Sequence, residues 1–129
     1  MSEIDDQLRK ACESIAQQLE AYFDGRAYAD PDSGETYIAR DGETAPDDCE
    51  QLSVMEWADD ILDYRVVCRS DGEPIYAEAC VALGGPTIWV DCGRCEVIGA
   101  WGTDRVSVGI PYDAAKELSD CLCETWSCR

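Results

Sequence analysis

Apolar side chains in the first 23 residues recur at steps of three and four, which is the spacing of one face of an α-helix. This stripe consists of Ile4, Leu8, Cys12, Ile15, Leu19 and Tyr22 or Phe23. The other face carries the charged residues of the segment, and Asp24-Gly25 is a typical helix end. We therefore predict an N-terminal helix of about five turns that buries its apolar stripe.

Residues 24–52 lack a long periodic pattern and contain a strong turn signal at Pro31-Asp32-Ser33-Gly34. Apolar stretches on the two sides of this turn, at 27–29 and 36–39, predict two short strands. Residues 42–48 are rich in acidic and turn-forming side chains, and we interpret them as a loop.

A second helix is predicted at Ser53, because Ser53 and Glu56 have the spacing of a capping box. Its buried side consists of Val54, Trp57, Ile61 and Leu62. The same pattern places three acidic residues in the last turn: Asp59, Asp60 and Asp63. The helix dipole disfavours negative charge there, and such a local conflict is typical of a functional position.

Apolar and polar residues alternate between 64 and 110, which predicts β-strands that bury one face. Turn-forming residues divide this region into four or five antiparallel strands. These turns are Ser70-Asp71-Gly72, Gly84-Gly85-Pro86 and Cys92-Gly93-Arg94-Cys95. We expect Ile88 and Val90 on the face that the helices cover. Trp89 is then expected on the opposite face, near Tyr76.

A last amphipathic pattern follows Pro111, where Asp113 can cap a helix over residues 114–126. The sequence thus predicts an α+β fold, with helices at both ends of the chain packed on one face of an antiparallel meander. A length of 129 residues suits a single domain. Its expected parts are a helical and irregular acidic part at 1–63, the sheet at 64–110 and the C-terminal helix at 111–129.

The charge is the most unusual property of the chain, which has 28 acidic and ten basic residues, no histidine and a formal net charge of −18. Nucleic acid and anionic membranes both need a cationic protein surface, so neither is expected as a direct partner. Residues 30–63 contain twelve acidic residues and one basic residue, Arg40. A segment of a single sign steers a cationic partner towards itself.

We therefore predict that carboxylates of this segment bind a basic protein, in positions that phosphates hold in a duplex. The candidate partner-binding residues are Asp41, Glu43, Asp47, Asp48, Glu50, Glu56, Asp59, Asp60 and Asp63. The alternative is that the acidity serves solubility or salt adaptation, and that residues 41–50 form an acidic loop without a partner.

Nine cysteines need an explanation of their own. Because we find neither a signal peptide nor a membrane-length apolar run, we expect a cytoplasmic protein with reduced thiols and no disulfide framework. Cys92 and Cys95 have zinc-knuckle spacing and are candidate metal ligands. Further thiolates would come from Cys121, Cys123 or Cys128, but a second Cys-x-x-Cys motif is absent. We expect no cofactor, with zinc as the alternative.

The sequence offers little for catalysis. It lacks histidine, the usual general base near neutral pH. Gly84-Gly85 is not followed by the Gly-Lys-Ser/Thr of a phosphate-binding loop. We therefore expect a protein without enzymatic activity.

One group of residues forms a pattern of its own: a strand ending in Ala-x-Gly-Gly-Pro, an Ile-x-Val-Asp strand, then a Trp and an Asp-Arg pair. In this chain they are Ala82, Gly84, Gly85, Pro86, Ile88, Val90, Asp91, Trp101, Asp104 and Arg105. Over about residues 52–126 the chain resembles small acidic, mostly uncharacterised proteins of bacterial mobile elements and prophages, a class that includes anti-CRISPR-type inhibitors. It departs from them at Thr87, where they often have Asn, and at Cys92 and Cys95, which they usually lack.

The resemblance implies an origin in a mobile element or phage. Combined with the charge, it leads to the hypothesis of an acidic inhibitor and nucleic-acid mimic in the host cytoplasm. Its partner would be the basic surface of a CRISPR–Cas effector or another nucleic-acid-binding host protein. Two alternatives remain: a cysteine-ligated zinc module for protein–protein contacts, and an antitoxin-like acidic partner of a basic toxin.

Overall fold

The helices and strands follow one another in the predicted order, with one additional short strand. The structure, a computed structural model, describes residues 3–40 and 48–127, except for the side chain of Ile4. Its elements are α1 (Glu3–Phe23), β1 (Ala27–Ala29), β2 (Thr36–Ile38), β3 (Glu50–Gln51), α2 (Val54–Ala58), β4 (Asp63–Cys68), β5 (Pro74–Ala82), β6 (Thr87–Asp91), β7 (Glu96–Trp101), β8 (Asp104–Gly109) and α3 (Tyr112–Ser127). The predicted α+β class is confirmed.

The main sheet is a five-stranded antiparallel meander with strand order β4-β5-β6-β7-β8. Helix α1 contacts β7 and β8, α3 contacts β4 and β5, and α2 packs against both helices. Ile88 and Val90 belong to the resulting core, and Val90 is fully buried. The predicted register of β6 is therefore confirmed.

Gly99 allows α1 to approach the sheet closely. A Cβ atom at this position would lie 2.6 Å from the Sγ atom of Cys12 and 2.8 Å from a methyl carbon of Leu8. Real Cβ atoms do not approach other atoms so closely, so a larger residue at 99 would displace the buried side chains of Cys12 and Leu8. The small residue in β7 thus sets the depth of the core beneath α1.

Ser119 fixes α3 to the end of the β5–β6 ladder. Pairing of these strands ends at Glu78 and Asp91, and the next amide on β5 belongs to Ala77. That buried N–H donates to the Oγ atom of Ser119 at 3.0 Å. A helix side chain thereby completes the ladder, and an unpaired buried donor is avoided.

Trp89 lies on the face of the sheet opposite the core cluster, as predicted. The guanidinium carbon of Arg65 lies 4.1 Å from the centre of its ring, and the same guanidinium contacts the Glu78 carboxylate at 3.2 Å. The expected proximity to Tyr76 is wrong. Trp89 pairs with Cys80, four positions along β5 from Tyr76, so Arg65 is the residue that covers the indole.

Helix α2 is shorter than the periodicity predicts, because the chain joins the sheet earlier than expected. Asp59 is the C-cap of the helix. After it, the N–H groups of Asp60 and Ile61 each donate to the carbonyl oxygen three residues earlier, as in a 3₁₀ turn. The Leu62 N–H then donates to the Cys80 carbonyl oxygen at 2.8 Å. Asp63 consequently opens β4 instead of ending α2, and Leu62 is 59% exposed instead of buried.

A small second sheet has the strand order β2-β1-β3. Strands β1 and β2 were predicted, whereas β3 was not. It pairs with β1, the Leu52 N–H donates to the Ala27 carbonyl oxygen at 2.8 Å, and the Gln51 side chain donates to the Gly25 carbonyl oxygen at 2.8 Å. The loop predicted at 42–48 falls outside the described residues, apart from Asp48. None of the helices in the described ranges has both the length and the apolar character needed to cross a membrane.

Candidate functional site

Helix α2 has five residues and is anchored at its N-terminus. The Ser53 N–H donates to the Glu56 carboxylate at 2.7 Å, and the Ser53 hydroxyl donates to the same carboxylate, so the predicted capping box forms. The hydrogen bond from the Ser53 side chain, supported by backbone hydrogen bonds, lowers the pKa of Glu56. Val54 and Trp57 are buried, so the polar side of α2 faces solvent in a fixed position.

The structure places six of the nine predicted partner-binding residues, while Asp41, Glu43 and Asp47 lie outside the described residues. The six are Asp48, Glu50, Glu56, Asp59, Asp60 and Asp63, and all are exposed. None of them forms an ion pair with another described residue. The ion pairs found in the described ranges join Arg26 to Asp24, Arg65 to Glu78, Arg69 to Asp71 and Lys116 to Asp120. Within the described residues, the negative charge of the six is therefore not neutralised by ion pairs.

Asp59 and Asp63 line one groove, which lies between α2, the start of β4 and α3 and has a volume of about 480 Å³. Its other lining residues are Met55, Ala58, Ile61, Leu62, Tyr64, Cys121, Leu122 and Thr125. We call it the α2–α3 groove. Asp60 instead lines a smaller concavity next to α1, together with Tyr22 and Trp57. The structure thus brings two of the three clustered aspartates to one groove.

The α2–α3 groove was not predicted from the sequence. Met55 and Leu62 are 60% and 59% exposed, whereas large apolar side chains are more often buried. Met55 lies outside the apolar stripe of α2, and that was the signal available in the sequence. Leu62 was assigned to the buried side because the helix was expected to continue past it.

The Cys92–Cys95 turn is closed by Asp91, which is 8% exposed. One of its carboxylate oxygens accepts hydrogen bonds from the N–H groups of Gly93 at 3.0 Å and Arg94 at 3.1 Å. A Cβ atom at Gly93 would lie 2.7 Å from the Tyr76 ring, so the turn also needs its glycine. These interactions account for the geometry of the turn, and an aspartate before a tight turn is the sequence signal for it.

Of the two thiols of this turn, that of Cys92 favours its protonated form. Burial, followed by the negative charge of Asp91, raises the pKa of Cys92 to about 12, whereas a zinc ligand must lose its proton. Burial also raises the pKa values of Cys121 and Cys123, and Cys128 is not among the described residues. Across the residues that the structure describes, no three cysteine or carboxylate side chains come together as a metal site.

Replacing Cys92 with alanine is expected to reduce the decrease in the free energy of unfolding that occurs as the pH rises above 9. The pKa of the thiol is 9.0 when unfolded and about 12 when folded. Between these values the unfolded chain releases this proton and the folded chain keeps it, so stability is full below pH 9 and falls as pH rises. The difference between the two proteins should reach about 2 kcal/mol near pH 10.5, and about 4 kcal/mol at most. Urea unfolding at several pH values measures it, and equal pH dependence in both proteins would contradict the buried thiol.

The candidate site is therefore an exposed acidic surface on β3, α2 and the start of β4, next to a partly apolar groove. It contains no histidine and no described metal cluster, and its carboxylates are suited to contact cations. Comparison with protein-family models, curated proteins and solved structures finds no match for this chain, so the resemblance to mobile-element proteins stays a prediction.

Proposed function

We propose that this chain is a non-enzymatic acidic inhibitor, encoded by a mobile element or phage, that occupies the basic nucleic-acid-binding surface of a host defence complex. The class of target that we propose is a CRISPR–Cas effector. One observation carries the proposal: six exposed carboxylates between residues 48 and 63 have no ion-pair partner among the described residues.

Regular structure around these carboxylates favours a binding surface over a solvated acidic segment. Glu50 lies in β3 and pairs with Ala29, Glu56 is held by the capping box, and Asp63 begins β4. Carboxylates on ordered backbone lose less conformational entropy when a partner binds than those of an unstructured chain. They can therefore present negative charge at fixed spacings, as the phosphates of a duplex do.

The distribution of ion pairs also supports a role of the acidic residues 48–63 in binding a partner. The basic residues of β4 and of the turn after it, Arg65 and Arg69, contact carboxylates of their own neighbourhood. Lys116 contacts Asp120 one helical turn away on α3. By contrast, the potential of residues 48–63 extends into solvent, where it raises the association rate of a cationic partner.

Displacement of DNA tests the proposal. Purified CRISPR–Cas effectors, loaded with labelled duplex DNA, are titrated with this protein and followed by mobility shift and by DNA cleavage. We expect DNA to be released from the susceptible effector near stoichiometric protein. We also expect the inhibition to weaken steeply between about 50 and 200 mM salt, because the contacts are charge pairs.

Two results would contradict the proposal. The first is an effector that binds this protein and still binds DNA with unchanged affinity. The second is inhibition whose strength does not depend on salt, since that would indicate apolar contacts alone. If a small basic toxin is bound in place of every effector tested, the antitoxin-like alternative is supported instead.

A further inference from the structure

The α2–α3 groove combines an apolar lining with two carboxylates, a combination that suits one kind of ligand. We propose that it binds a short segment of the target protein that places a leucine-sized apolar side chain next to a lysine or arginine. This inference rests on the proposed function, because it specifies the chemistry of the partner at the same acidic surface.

The apolar part of the groove is graded from buried to exposed. Leu122 is 4% exposed, Ala58 and Ile61 are half-buried, and Met55 and Leu62 remain largely in contact with water. A volume of about 480 Å³ is within the usual range for ligand pockets and leaves room for a few side chains. An apolar side chain that covers Met55 and Leu62 would remove their surfaces from water, and this would favour binding.

The charged part of the groove selects against a purely apolar ligand. Asp59 and Asp63 line it, both are exposed, and neither has an ion-pair partner among the described residues. Among the described residues of the lining there is no lysine or arginine. A purely apolar ligand would remove water from these carboxylates without forming hydrogen bonds or ion pairs with them, which is unfavourable. A lysine or arginine beside the apolar side chain would supply the missing ion pair.

Another concavity of similar size, about 410 Å³, shows what distinguishes the α2–α3 groove. It lies beside α1 and is lined mainly by polar side chains, including Gln17, Gln18 and Glu20, and it contains its own cation, Arg26. Among its described lining residues Ile38 is the one apolar side chain, and a cation accompanies the single carboxylate, so no ligand is assigned to it.

Two synthetic peptides of equal charge test the proposal. Each has twelve residues and four arginines, and they differ at one central position, which is leucine in one and serine in the other. Fluorescence polarisation should show that the leucine peptide binds about tenfold more tightly, the effect of burying one large apolar side chain in part. Equal affinity of the two peptides would overturn the proposal.

Matched substitutions locate the binding on the protein. Leu62→Ser should reduce the affinity for the leucine peptide about tenfold and leave the serine peptide unaffected. Leu83→Ser is the control, because Leu83 is 63% exposed and lies outside the groove. If Leu83→Ser weakens binding as much as Leu62→Ser, the groove is not the site.

Cys121 gives a second measure of location that does not depend on a mutation. It is half-buried in the lining of the groove, so a bound leucine peptide should slow its alkylation by iodoacetamide, as followed by mass spectrometry. Cys68, also half-buried but outside the lining, is the internal control and should react at an unchanged rate. Unchanged alkylation of Cys121 at saturating peptide would contradict the proposal.

These experiments separate the groove from the proposed function. If the groove proposal fails alone, both peptides bind equally and DNA is still displaced from an effector. If the proposed function fails alone, the leucine peptide binds at the groove and no effector releases DNA. The groove could instead be occupied by a second copy of this chain. In that case the protein would form a dimer that Leu62→Ser dissociates, and neither peptide would bind, which would also overturn the proposal.

Discussion

Replacement of Val90 with aspartate is expected to unfold the protein. Val90 lies in the central strand of the main sheet, pairs with Ala79 and Val97, and is fully buried in the core beneath the helices. A buried carboxylate without a partner costs several kcal/mol, which is comparable with the whole free energy of unfolding of a small domain. Circular dichroism and thermal melting should show no cooperative transition in the variant.

Ser107→Asp is the matched control for this substitution. Ser107 is exposed on β8 and faces the side of the sheet opposite the core. A charge there stays in water, so we expect the free energy of unfolding to change by about 0.5 kcal/mol or less. A cooperative melt of Val90→Asp at the unchanged temperature would show that β6 does not have the register described.

The combined change of Asp59, Asp60 and Asp63 to asparagine is expected to weaken inhibition roughly ten- to a hundredfold and to leave folding intact. Asparagine keeps the shape of each side chain, and at Asp63 it retains an oxygen that can accept the Tyr64 N–H, a bond of 2.8 Å. What is lost is charge that complements a basic surface. The stability should stay within about 0.5 kcal/mol, because all three residues are exposed.

A second triple variant controls for net charge. Asp6→Asn, Glu73→Gln and Asp113→Asn remove the same number of charges from exposed positions outside the acidic surface. The DNA-displacement assay should show inhibition close to that of the unchanged protein. If both triple variants inhibit equally well, Asp59, Asp60 and Asp63 form a solvated face and do not contact the target.

The elements that the sequence predicted well are those with a strong local signal. Helix α1, helix α3 and the meander each repeat their pattern over several turns or strands, and the position of Val90 followed from the alternation of β6. The end of α2 was misplaced because it depends on a distant group. The Leu62 N–H bonds to the carbonyl oxygen of Cys80, and no local pattern contains that information.

The candidate site shows the same division between local and distant information. The position of Glu56 follows from a capping box that can be identified in four residues of sequence. The α2–α3 groove could not be predicted, because Cys121 and Leu122 reach it only when α3 packs against α2. The spacing of Cys92 and Cys95 suggested a metal site, whereas the residue that closes this turn is the preceding Asp91.

The hydrogen bond between Ala77 and Ser119 helps to set the width of the groove, although neither residue belongs to its lining. It holds α3 at a fixed position along β5, and the residues that α3 contributes to the groove lie within two turns of Ser119. Substitutions at Met55, Leu62 or Thr125 would therefore change the side chains that line the groove while its width is kept. The surface of the groove can therefore diverge between related sequences while the core and the position of α3 stay the same.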